Sequence, residues 1–385
     1  MSDDFDFVPP PPKAAEQSIQ DDFDYLPAYR FSFVGVGQAG GRIANAFKSL
    51  GYQRVCAANT ASADMAELPF SDTAKLLVGD AQGAGKDPEA AAKAFASADE
   101  DIFDMLTRSW GPETDYGFVC LSGAGGTGAG AFPKVAEVVK KFMRSHGKPN
   151  RVGCVMALPK NADGQRSAQN ALRSVNALRS LNLSPILFID NERFSSLYGH
   201  HVSAKDEKPQ SNAATAKLLH AFNRLSGTAS EDAGGTTFDP TDFSKVLGSG
   251  VTALAAAAVS QWSSPADITE PVREQLRQNV LAEVDLAAGS VAGLLYIVSG
   301  EAWDGSNPVK GRDLDYGAEM MNRMLSRQDS AVFQGVYPQP AGEPGIRLLA
   351  MIGGLPWPTT RLQALRELAG NHAATDEVAK HLGLS

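Results

Sequence analysis

The sequence predicts an α/β protein with a parallel sheet and anion-binding glycine turns at the carboxyl edge of that sheet. Three times, an apolar run of strand length leads into a glycine-rich turn and then into residues with helical spacing. The turns are residues 37–42, 83–89 and 122–130. Because the carboxyl ends of parallel strands share one edge of a sheet, we expect the three turns to converge on one polyphosphate.

The turn at 122–130 is the most informative of the three. Five glycines lie between a buried strand, Tyr116–Leu121, and a helix that we expect over Phe132–Lys141. Glycines leave backbone N–H groups uncovered, and a helix N-terminus adds unpaired donors and a positive dipole end. The alternative is a loose glycine loop without a ligand.

The first of the three strand–turn–helix segments begins the fold. It has a strand over Phe31–Gly37, the turn Gln38–Arg42 and a helix over Ile43–Leu50. Gly35, Gly37 and Gly40 have the G-x-G-x-x-G spacing of dinucleotide-binding enzymes. Such an enzyme needs an acid after the next strand to hold the ribose. That strand ends in Asn59-Thr60, which disfavours an oxidoreductase without excluding it.

The remaining elements of the first half follow in the same way. A strand over Ala74–Gly79 precedes the turn at 83–89, and one helix continues from Ala90 to Phe103. No G-x-x-x-x-G-K-(S/T) segment occurs, which excludes a P-loop enzyme. Further strands over Val152–Leu158 and Pro185–Ile189 flank a helix over Ser167–Leu181.

Polar residues follow two of these strands, at 159–166 and 190–193. They are positioned to contact a sugar or a base, although each also suits a helix cap or a surface turn. Residues 199–212 are polar and irregular, and a long helix follows over Asn212–Ser226. Asp239 and Asp242 then lie three residues apart at a helix start, where an aspartate is often only a cap.

The C-terminal part predicts a second α/β layer without glycine turns. Its expected elements are two helices and three strands, at Ile268–Val280, Gly293–Val298, Leu314–Leu325, Ala331–Gly335 and Ile346–Ile352. Residues 359–385 have the pattern of two short amphipathic helices.

Composition restricts the function classes. Of 385 residues, 43% are hydrophobic and 21% charged, and the net charge is −9, much of it within residues 1–30. A mildly acidic body argues against direct nucleic-acid binding. Neither a signal pattern nor an apolar run of membrane-spanning length occurs, so we expect a cytoplasmic protein. The three cysteines, Cys56, Cys120 and Cys154, each lie in an apolar run and are expected to be reduced core residues rather than metal ligands.

The first 30 residues contain an internal repeat. Asp3-Asp4-Phe5-Asp6-Phe7-Val8-Pro9 recurs as Asp21-Asp22-Phe23-Asp24-Tyr25-Leu26-Pro27. This acidic segment buries too little apolar surface to fold alone, which predicts a disordered tail. The alternative is a duplicated linear motif that docks on a basic pocket of a neighbouring subunit or of another protein.

With these motifs in place, the chain resembles the tubulin/FtsZ superfamily of polymerising GTPases. Residues 124–130 fit that family's (S/A/G)-G-G-T-G-(S/A/T)-G signature at all seven positions. Gly37–Gly40 resembles its first phosphate loop, and Asp239-x-x-Asp242 its synergy loop. The resemblance covers about residues 31–355 and implies a Rossmann-like GTPase domain, a long central helix and a second α/β domain.

The resemblance implies a role for individual residues. Asp239 and Asp242 would be catalytic, in a neighbouring subunit's site. Asp163 would bind ribose with Arg166 nearby, and Asn191 would read guanine together with Asn212 or Lys217. The residues that would hold the GTP or GDP phosphates are Gly37, Gln38, Ala39, Gly40, Gly41, Arg42, Gly85, Lys86, Ala124, Gly125, Gly126, Thr127, Gly128, Ala129 and Gly130.

The chain departs from the family pattern at several positions. Thr237 replaces the first Asn of the synergy loop, and Ala61 replaces the Asp that usually follows Asn-Thr. Arg42 stands where FtsZ has Asn, and the expected Arg after Gly164 is displaced to Arg166. The first two changes could lower hydrolysis or alter Mg²⁺ binding. The C-terminus also lacks the peptide with which FtsZ engages membrane tethers, which favours a divergent member.

Together these features predict a tail (1–30), a nucleotide-binding domain (31–205), a central helix and linker (206–235), a C-terminal domain (236–357) and a helical tail (358–385). The predicted function is GTP- and Mg²⁺-dependent head-to-tail polymerisation with GTP hydrolysis between subunits. The alternatives are a nucleotide-binding polymer with little hydrolysis, or a dinucleotide oxidoreductase. A protein adaptor bound to the N-terminal repeat or the C-terminal tail is a further partner class.

Overall fold

The fold is that of a computed structural model, which describes residues 21–23, 25–228, 236–278, 280–300, 302, 305, 308–338, 345–370 and 380–382. Its strands are β1 (Phe31–Val36), β2 (Val55–Asn59), β3 (Lys75–Leu77), β4 (Tyr116–Ser122), β5 (Val152–Leu158), β6 (Ile186–Asp190), β7 (Val251–Val259), β8 (Val291–Val298), β9 (Ala331–Pro338) and β10 (Ile346–Leu355).

The helices of these described ranges connect the strands. They are α1 (Gly37–Lys48), α2 (Ser62–Ala66), α3 (Pro88–Phe95), α4 (Asp99–Trp110), α5 (Gly126–Ser145), α6 (Gln165–Leu181), α7 (Asn191–Tyr198), α8 (Glu207–Leu225), α9 (Pro240–Leu247), α10 (Pro265–Arg277), α11 (Gly311–Met324) and α12 (Thr359–Ala369).

All ten strands belong to one sheet, in the order β3-β2-β1-β4-β5-β6-β7-β10-β8-β9. The strands from β3 to β6 are parallel, whereas β10 runs antiparallel to both β7 and β8. Every residue of β1, β5 and β6 is buried, as expected for strands covered on both faces. This parallel half confirms the predicted α/β class.

The predicted second layer is not a separate sheet. The pair Ile186 and Val251 joins β6 to β7 in parallel, and β7 continues into the C-terminal strands. The alanine-rich run of β7 has weak strand propensity, and the sequence did not predict it as a strand. Pairing with β10 along nearly its whole length overrides that propensity.

The helix predicted from Ala90 to Phe103 is two helices, α3 and α4, and that prediction was wrong. Asp99, Glu100 and Asp101 form the first turn of α4, where carboxylates favour the helix N-terminus. Asp99 also pairs with Lys134 of α5 at 2.9 Å, which fixes where α4 starts. A run of helix-forming residues therefore conceals a new N-terminus.

Three other helices begin five or six residues earlier than predicted. Both α1 and α5 start inside their glycine turns, at Gly37 and Gly126, so residues predicted as loop form first turns. The long helix α8 starts at Glu207 rather than Asn212. Glu207 lies at the N-terminus of α8, where its carboxylate is favourable, and it pairs with Lys160.

The second copy of the N-terminal repeat packs on the fold. Asp21 and Phe23 lie against the connection between α1 and β2, and Ala28 N–H donates to the Asn223 carbonyl of α8 at 2.8 Å. Residues 21–23 and 25–30 therefore do not belong to a free tail, because their rings find apolar partners on the body. The first copy lies outside the described residues.

Candidate functional site

A cleft of about 1120 Å³ opens at the carboxyl ends of β1, β4 and β5, where the sequence predicts the site. Its walls come from the three glycine turns, the residues after β5 and β6, and one side of α8. Pockets for small molecules are usually about 300–1,000 Å³, so a nucleotide fits here.

The three glycine turns meet in this cleft. Gly37 has φ +71°, and a Cβ there would lie 3.0 Å from the Gly128 nitrogen. A Cβ on Gly126 would lie 2.7 Å from the Asp87 nitrogen. These positions need glycine because neighbouring backbone occupies the space of a side chain.

Two helix N-termini point into the cleft without a cap. The 20-residue α5 begins after Gly125, and α1 begins after Val36; neither position supplies a capping side chain. Neither first turn contains an acidic residue. Uncapped N–H donors and two positive dipole ends therefore face the same space, which is the requirement for binding an anion.

Asn170 of α6 joins two of the turns. Its Nδ2 donates to the carbonyl of Lys86 at 3.1 Å and to that of Ala124 at 3.2 Å. Lys86 has φ +61°, a conformation that costs energy in a non-glycine residue and recurs at functional sites. Asn170 was not predicted from the sequence, because its partners come from elements distant in the chain.

The charge of the cleft opposes the charge of the whole chain. Five basic and three acidic side chains line it: Arg42, Lys86, Lys205, Lys208, Lys217, Asp64, Glu67 and Asp163. Arg42 pairs with Glu67 at 2.7 Å. The four lysines have no ion-pair partner within the described ranges, so the cleft attracts a polyanion although the chain carries −9.

Asp64 is a cleft residue that the sequence analysis missed. Its carboxylate accepts from Gln38 Nε2 at 2.7 Å and from Asn59 Nδ2 at 3.1 Å. It lies one helical turn after Ala61, where the family's acid is missing. An acid at i+3 on the short helix α2 was the available signal.

The opposite wall carries the predicted ribose and base residues. Asp163 lines the cleft while its carboxylate accepts from the Lys160 N–H at 2.9 Å. Asn191 and Asn212 also line it, each 8% exposed. Ser211 donates to Asn191 Oδ1 at 3.5 Å and so connects α8 with α7. Lys217 lies five residues beyond Asn212, about 7.5 Å along α8.

Arg361 of α12 supports this wall from behind. Its guanidinium lies 3.2 Å from the Asp190 carboxylate, and both side chains are almost fully buried. It also donates to Asn161 at 2.7 Å and to the Pro159 carbonyl. Burial raises the pKa of Asp190 although Arg361 opposes the shift. Removing the arginine would leave a buried carboxylate unpaired, which is strongly destabilising.

Five predicted ligand residues lie away from the cleft walls: Gly40, Gly41, Ala129, Gly130 and Arg166. A Cβ on Gly40 would lie 2.2 Å from the Cys120 carbonyl, and one on Gly130 would lie 2.0 Å from the Pro88 carbonyl. These two glycines permit close packing between elements, and Gly40 is the last glycine of the G-x-G-x-x-G segment. Arg166 is exposed at the start of α6.

Asp239 and Asp242 lie at the other edge of the sheet. Tyr29, just before β1, donates to the Pro240 carbonyl at 2.5 Å, and Tyr116 at the start of β4 lies 3.3 Å from Ser244. Both contacts are at the amino ends of strands whose carboxyl ends form the cleft. Because β1 alone spans about 20 Å, these aspartates cannot reach the cleft of their own chain.

The local environment of this acid pair is that of a helix start. Asp239 caps α9 by accepting from the Asp242 N–H at 2.9 Å, and Asp242 pairs with Lys245 at 3.1 Å. The cap proposed from the sequence is thus present for Asp239. Capping uses one oxygen and leaves the pair at the surface.

Other features of the described residues limit the site chemistry. Cys56, Cys120 and Cys154 are buried and form no disulfide. The described ranges contain no cluster of three or more His, Cys, Asp or Glu side chains suited to a metal ion. They also contain no helix long and apolar enough to cross a membrane.

Comparison with known proteins finds a family that resembles the N-terminal part of the chain. Residues 30–199 match the family model described as the GTPase domain of the tubulin/FtsZ family. This range is less than half of the chain, and over it the chain is similar to that GTPase domain. This match contains all three glycine turns, Asp163 and Asn191, and it confirms the resemblance drawn from the signature at 124–130.

Individual tubulin/FtsZ relatives extend the likeness further. The tubulin-like protein CetZ2 of Haloferax volcanii is 28% identical over 286 residues, 70% of this chain and 74% of CetZ2. The tubulin-like protein TubZ of Bacillus cereus is 25% identical over 245 residues, 59% of this chain and 54% of TubZ. The chain thus aligns with about half the length of that TubZ.

A solved structure shows that the tubulin/FtsZ fold continues beyond the GTPase domain. A GTPγS-form protofilament of Bacillus thuringiensis serovar israelensis TubZ superposes with a TM-score of 0.73 at 17% identity. The superposition covers 92% of this chain and 93% of that chain. The predicted tubulin/FtsZ fold is therefore confirmed for both halves of the sheet.

Proposed function

We propose that the chain binds GTP in the cleft, assembles head-to-tail into filaments and hydrolyses GTP where subunits meet. One observation carries this proposal: the nucleotide cleft and the Asp239/Asp242 pair lie at opposite edges of one sheet. Stacking subunits so that one edge meets the other completes each cleft with the acids of the next chain. Such a contact is heterologous and propagates without closing.

The phosphate half of the cleft supports a polyphosphate ligand. The first turns of α1 and α5 supply N–H donors to the phosphates, and Lys86 supplies a positive charge beside them. Bound Mg²⁺ would neutralise charge on the transferring phosphate. Asp64, with Gln38 and Asn59 beside it, fits the role of a carboxylate close to that ion, since Mg²⁺ commonly uses one or two carboxylates plus phosphate oxygens.

The other half of the cleft, which contains Asn191 and Asn212, is suited to binding guanine. Asn191 and Asn212 present amide groups from adjacent elements, and each amide offers both donors and acceptors to a base edge. Lys217 lies about 7.5 Å farther along α8 and offers donors only. We therefore assign guanine recognition to Asn191 and Asn212, and ribose contact to Asp163.

Hydrolysis in this arrangement depends on assembly. A carboxylate that orients and polarises the attacking water arrives from the next subunit, while the N–H donors at the starts of α1 and α5 stabilise phosphoryl charge. Isolated subunits then bind GTP without turning it over. The reduced cysteines and the GTP requirement agree with a cytoplasmic protein.

The test is nucleotide-dependent assembly. We expect light scattering to rise with GTP and with a non-hydrolysable GTP analogue, but not with ATP, and negative-stain microscopy to show filaments. Phosphate release should begin at the protein concentration at which assembly begins. No filaments with any nucleotide would refute the proposal, and filaments without phosphate release would favour a polymer with little hydrolysis.

A further inference from the structure

The second copy of the N-terminal repeat occupies a groove on the body of its own chain. We call this the strap groove. One side is the connection between α1 and β2, and the other is the C-terminal part of α8 with the two residues that follow it. Its residues are Gly51, Tyr52, Gln53, Arg54, His220, Asn223, Arg224 and Gly227.

The groove recognises the first acid of the motif. The Asp21 carboxylate pairs with Arg54 at 2.8 Å, and their side chains are only 7% and 3% exposed. The Gln53 N–H also donates to Asp21, at 3.0 Å. Asp22 contributes its backbone, donating to the Gly51 carbonyl at 2.9 Å. A buried, charge-assisted contact of this kind selects for a carboxylate at the first position.

The groove recognises two aromatic rings as well. Phe23 packs edge-on against Tyr52, with ring centroids 4.9 Å apart, and stacks on Tyr25 at 5.1 Å. The Tyr25 hydroxyl lies 2.8 Å from His220 Nε2, and the Arg224 guanidinium lies 4.9 Å from the Tyr25 ring centre. Rings are therefore selected at the third and fifth positions of the motif.

The groove does not select the side chain at the sixth position of the motif. Leu26 is 83% exposed, whereas its backbone lies so close to α8 that a Cβ on Gly227 would lie 2.3 Å from the Leu26 carbonyl oxygen. The groove thus requires an acid, two rings and close backbone contact.

The first copy of the repeat meets each of these requirements. Asp3 corresponds to Asp21, and Phe5 corresponds to Phe23. Phe7 supplies the second ring and lacks only the hydroxyl that bonds His220. The loss of one neutral hydrogen bond weakens binding by a factor of about five. The exchange of leucine for valine falls on the exposed sixth position.

We propose that the strap groove is a docking site for this motif, and that Asp3–Pro9 of one chain binds in the strap groove of a second copy of the chain. It does so in exchange with that second chain's residues 21–27. This proposal depends on the proposed assembly in one respect, because assembly brings two chains close enough for the exchange.

Tethering decides which copy fills the groove. Residues 21–27 join Ala28 directly, so in an isolated chain they outcompete any free motif. The first copy is tethered by residues 10–20, which span at most about 40 Å. When subunits are held within that reach, the neighbour's first copy is also present at a high effective concentration. When the first copy of one chain replaces residues 21–27 of its neighbour, the two subunits become linked. The number of filled grooves stays the same.

The first test measures docking without assembly. A fluorescent peptide of residues 1–12 is titrated against full-length protein. We expect it to bind a Phe23→Ala/Tyr25→Ala chain at least tenfold more tightly than the wild type, whose groove is filled. Adding Gly227→Val should abolish that binding, because the new side chain occupies the peptide's position. Equal, weak binding to all three proteins would overturn the proposal.

The second test uses the wild-type groove and measures exchange between chains. A donor chain carrying p-azidophenylalanine in place of Phe7 is mixed with ¹⁵N-labelled wild-type receptor, assembled with GTP, illuminated and analysed by mass spectrometry. We expect donor residue 7 joined to labelled peptides around 220–228, and at least a tenfold loss with Phe5→Ala in the donor. Crosslinks only within the donor chain would overturn the proposal. Pelleting the same samples reports filament formation separately, so a failure of assembly is distinguished from a failure of docking.

Discussion

Asp242→Asn is expected to bind GTP and assemble like the wild type while phosphate release falls at least about 100-fold. A carboxylate that positions or deprotonates the attacking nucleophile commonly contributes about 10²–10⁴-fold to a rate. The amide is isosteric, so α9 and its contact with Lys245 lose little. Nucleotide affinity, pelleting and phosphate release are measured on the same preparation.

Two neighbouring substitutions serve as controls. Thr241→Ala alters an exposed side chain beside the pair and should leave turnover unchanged. Asp239→Asn keeps a good N-cap residue, so the fold should persist while turnover falls. Normal phosphate release from Asp242→Asn would remove Asp242 from the catalytic role.

Gly125→Val is expected to weaken GTP binding about 100-fold without changing the stability of the fold. No protein atom lies within 4 Å of a Cβ at this position, and its φ of −80° is allowed for valine. The side chain would instead extend into the cleft and displace phosphate from the N–H donors of α5. Losing one or two charge-assisted hydrogen bonds accounts for the size of the effect.

Gly130→Ala should give the opposite result. Its Cβ would lie 2.0 Å from the Pro88 carbonyl oxygen, between α5 and α3, and away from the cleft. We expect overpacking to lower the free energy of unfolding by about 1–3 kcal/mol, with GTP affinity of the folded protein retained. Urea unfolding and nucleotide titration of both variants measure this contrast. Equal effects on affinity would contradict the division between glycines that line the cleft and glycines that allow close packing.

The sequence predicted that the three glycine turns lie together at one cleft, because close backbone approach requires glycine. Gly37, Gly126 and Gly128 all line the cleft, as expected. Glycine content alone did not distinguish the glycines that line the cleft from the glycines that allow close packing between elements. Gly40 and Gly130 belong to the same turns as the cleft-lining glycines, and only the neighbouring backbone atoms distinguish them.

Features that depend on partners distant in the chain were not predictable. Asn170 joins two turns, and Arg361 supports Asp190 from a helix 171 positions later in the chain. The alanine-rich strand β7 has the composition of a helix, and pairing with β10 decides its conformation. Asp64 lines the cleft three residues after Ala61, and the family pattern conceals it because that pattern has its acid at position 61.

The docked second copy of the repeat shows a different limit of prediction from the sequence. Its acidic composition predicts disorder, but Arg54 neutralises Asp21 and Tyr52 covers Phe23. A prediction from composition considers only the residues of the segment itself. The residues that this segment packs against belong to the body of the chain. The repeat itself was visible in the sequence, and the structure adds what one copy binds.

The most direct test of the split site is complementation in mixed filaments. Asp242→Asn chains bind nucleotide but lack the acid, whereas Gly125→Val chains keep the acid but bind nucleotide weakly. At a GTP concentration that saturates only the first variant, each alone should release little phosphate. We expect a mixture that pellets with both chains to recover a substantial fraction of wild-type turnover. Mixed filaments that contain both chains and still release no phosphate would contradict a catalytic site shared between subunits.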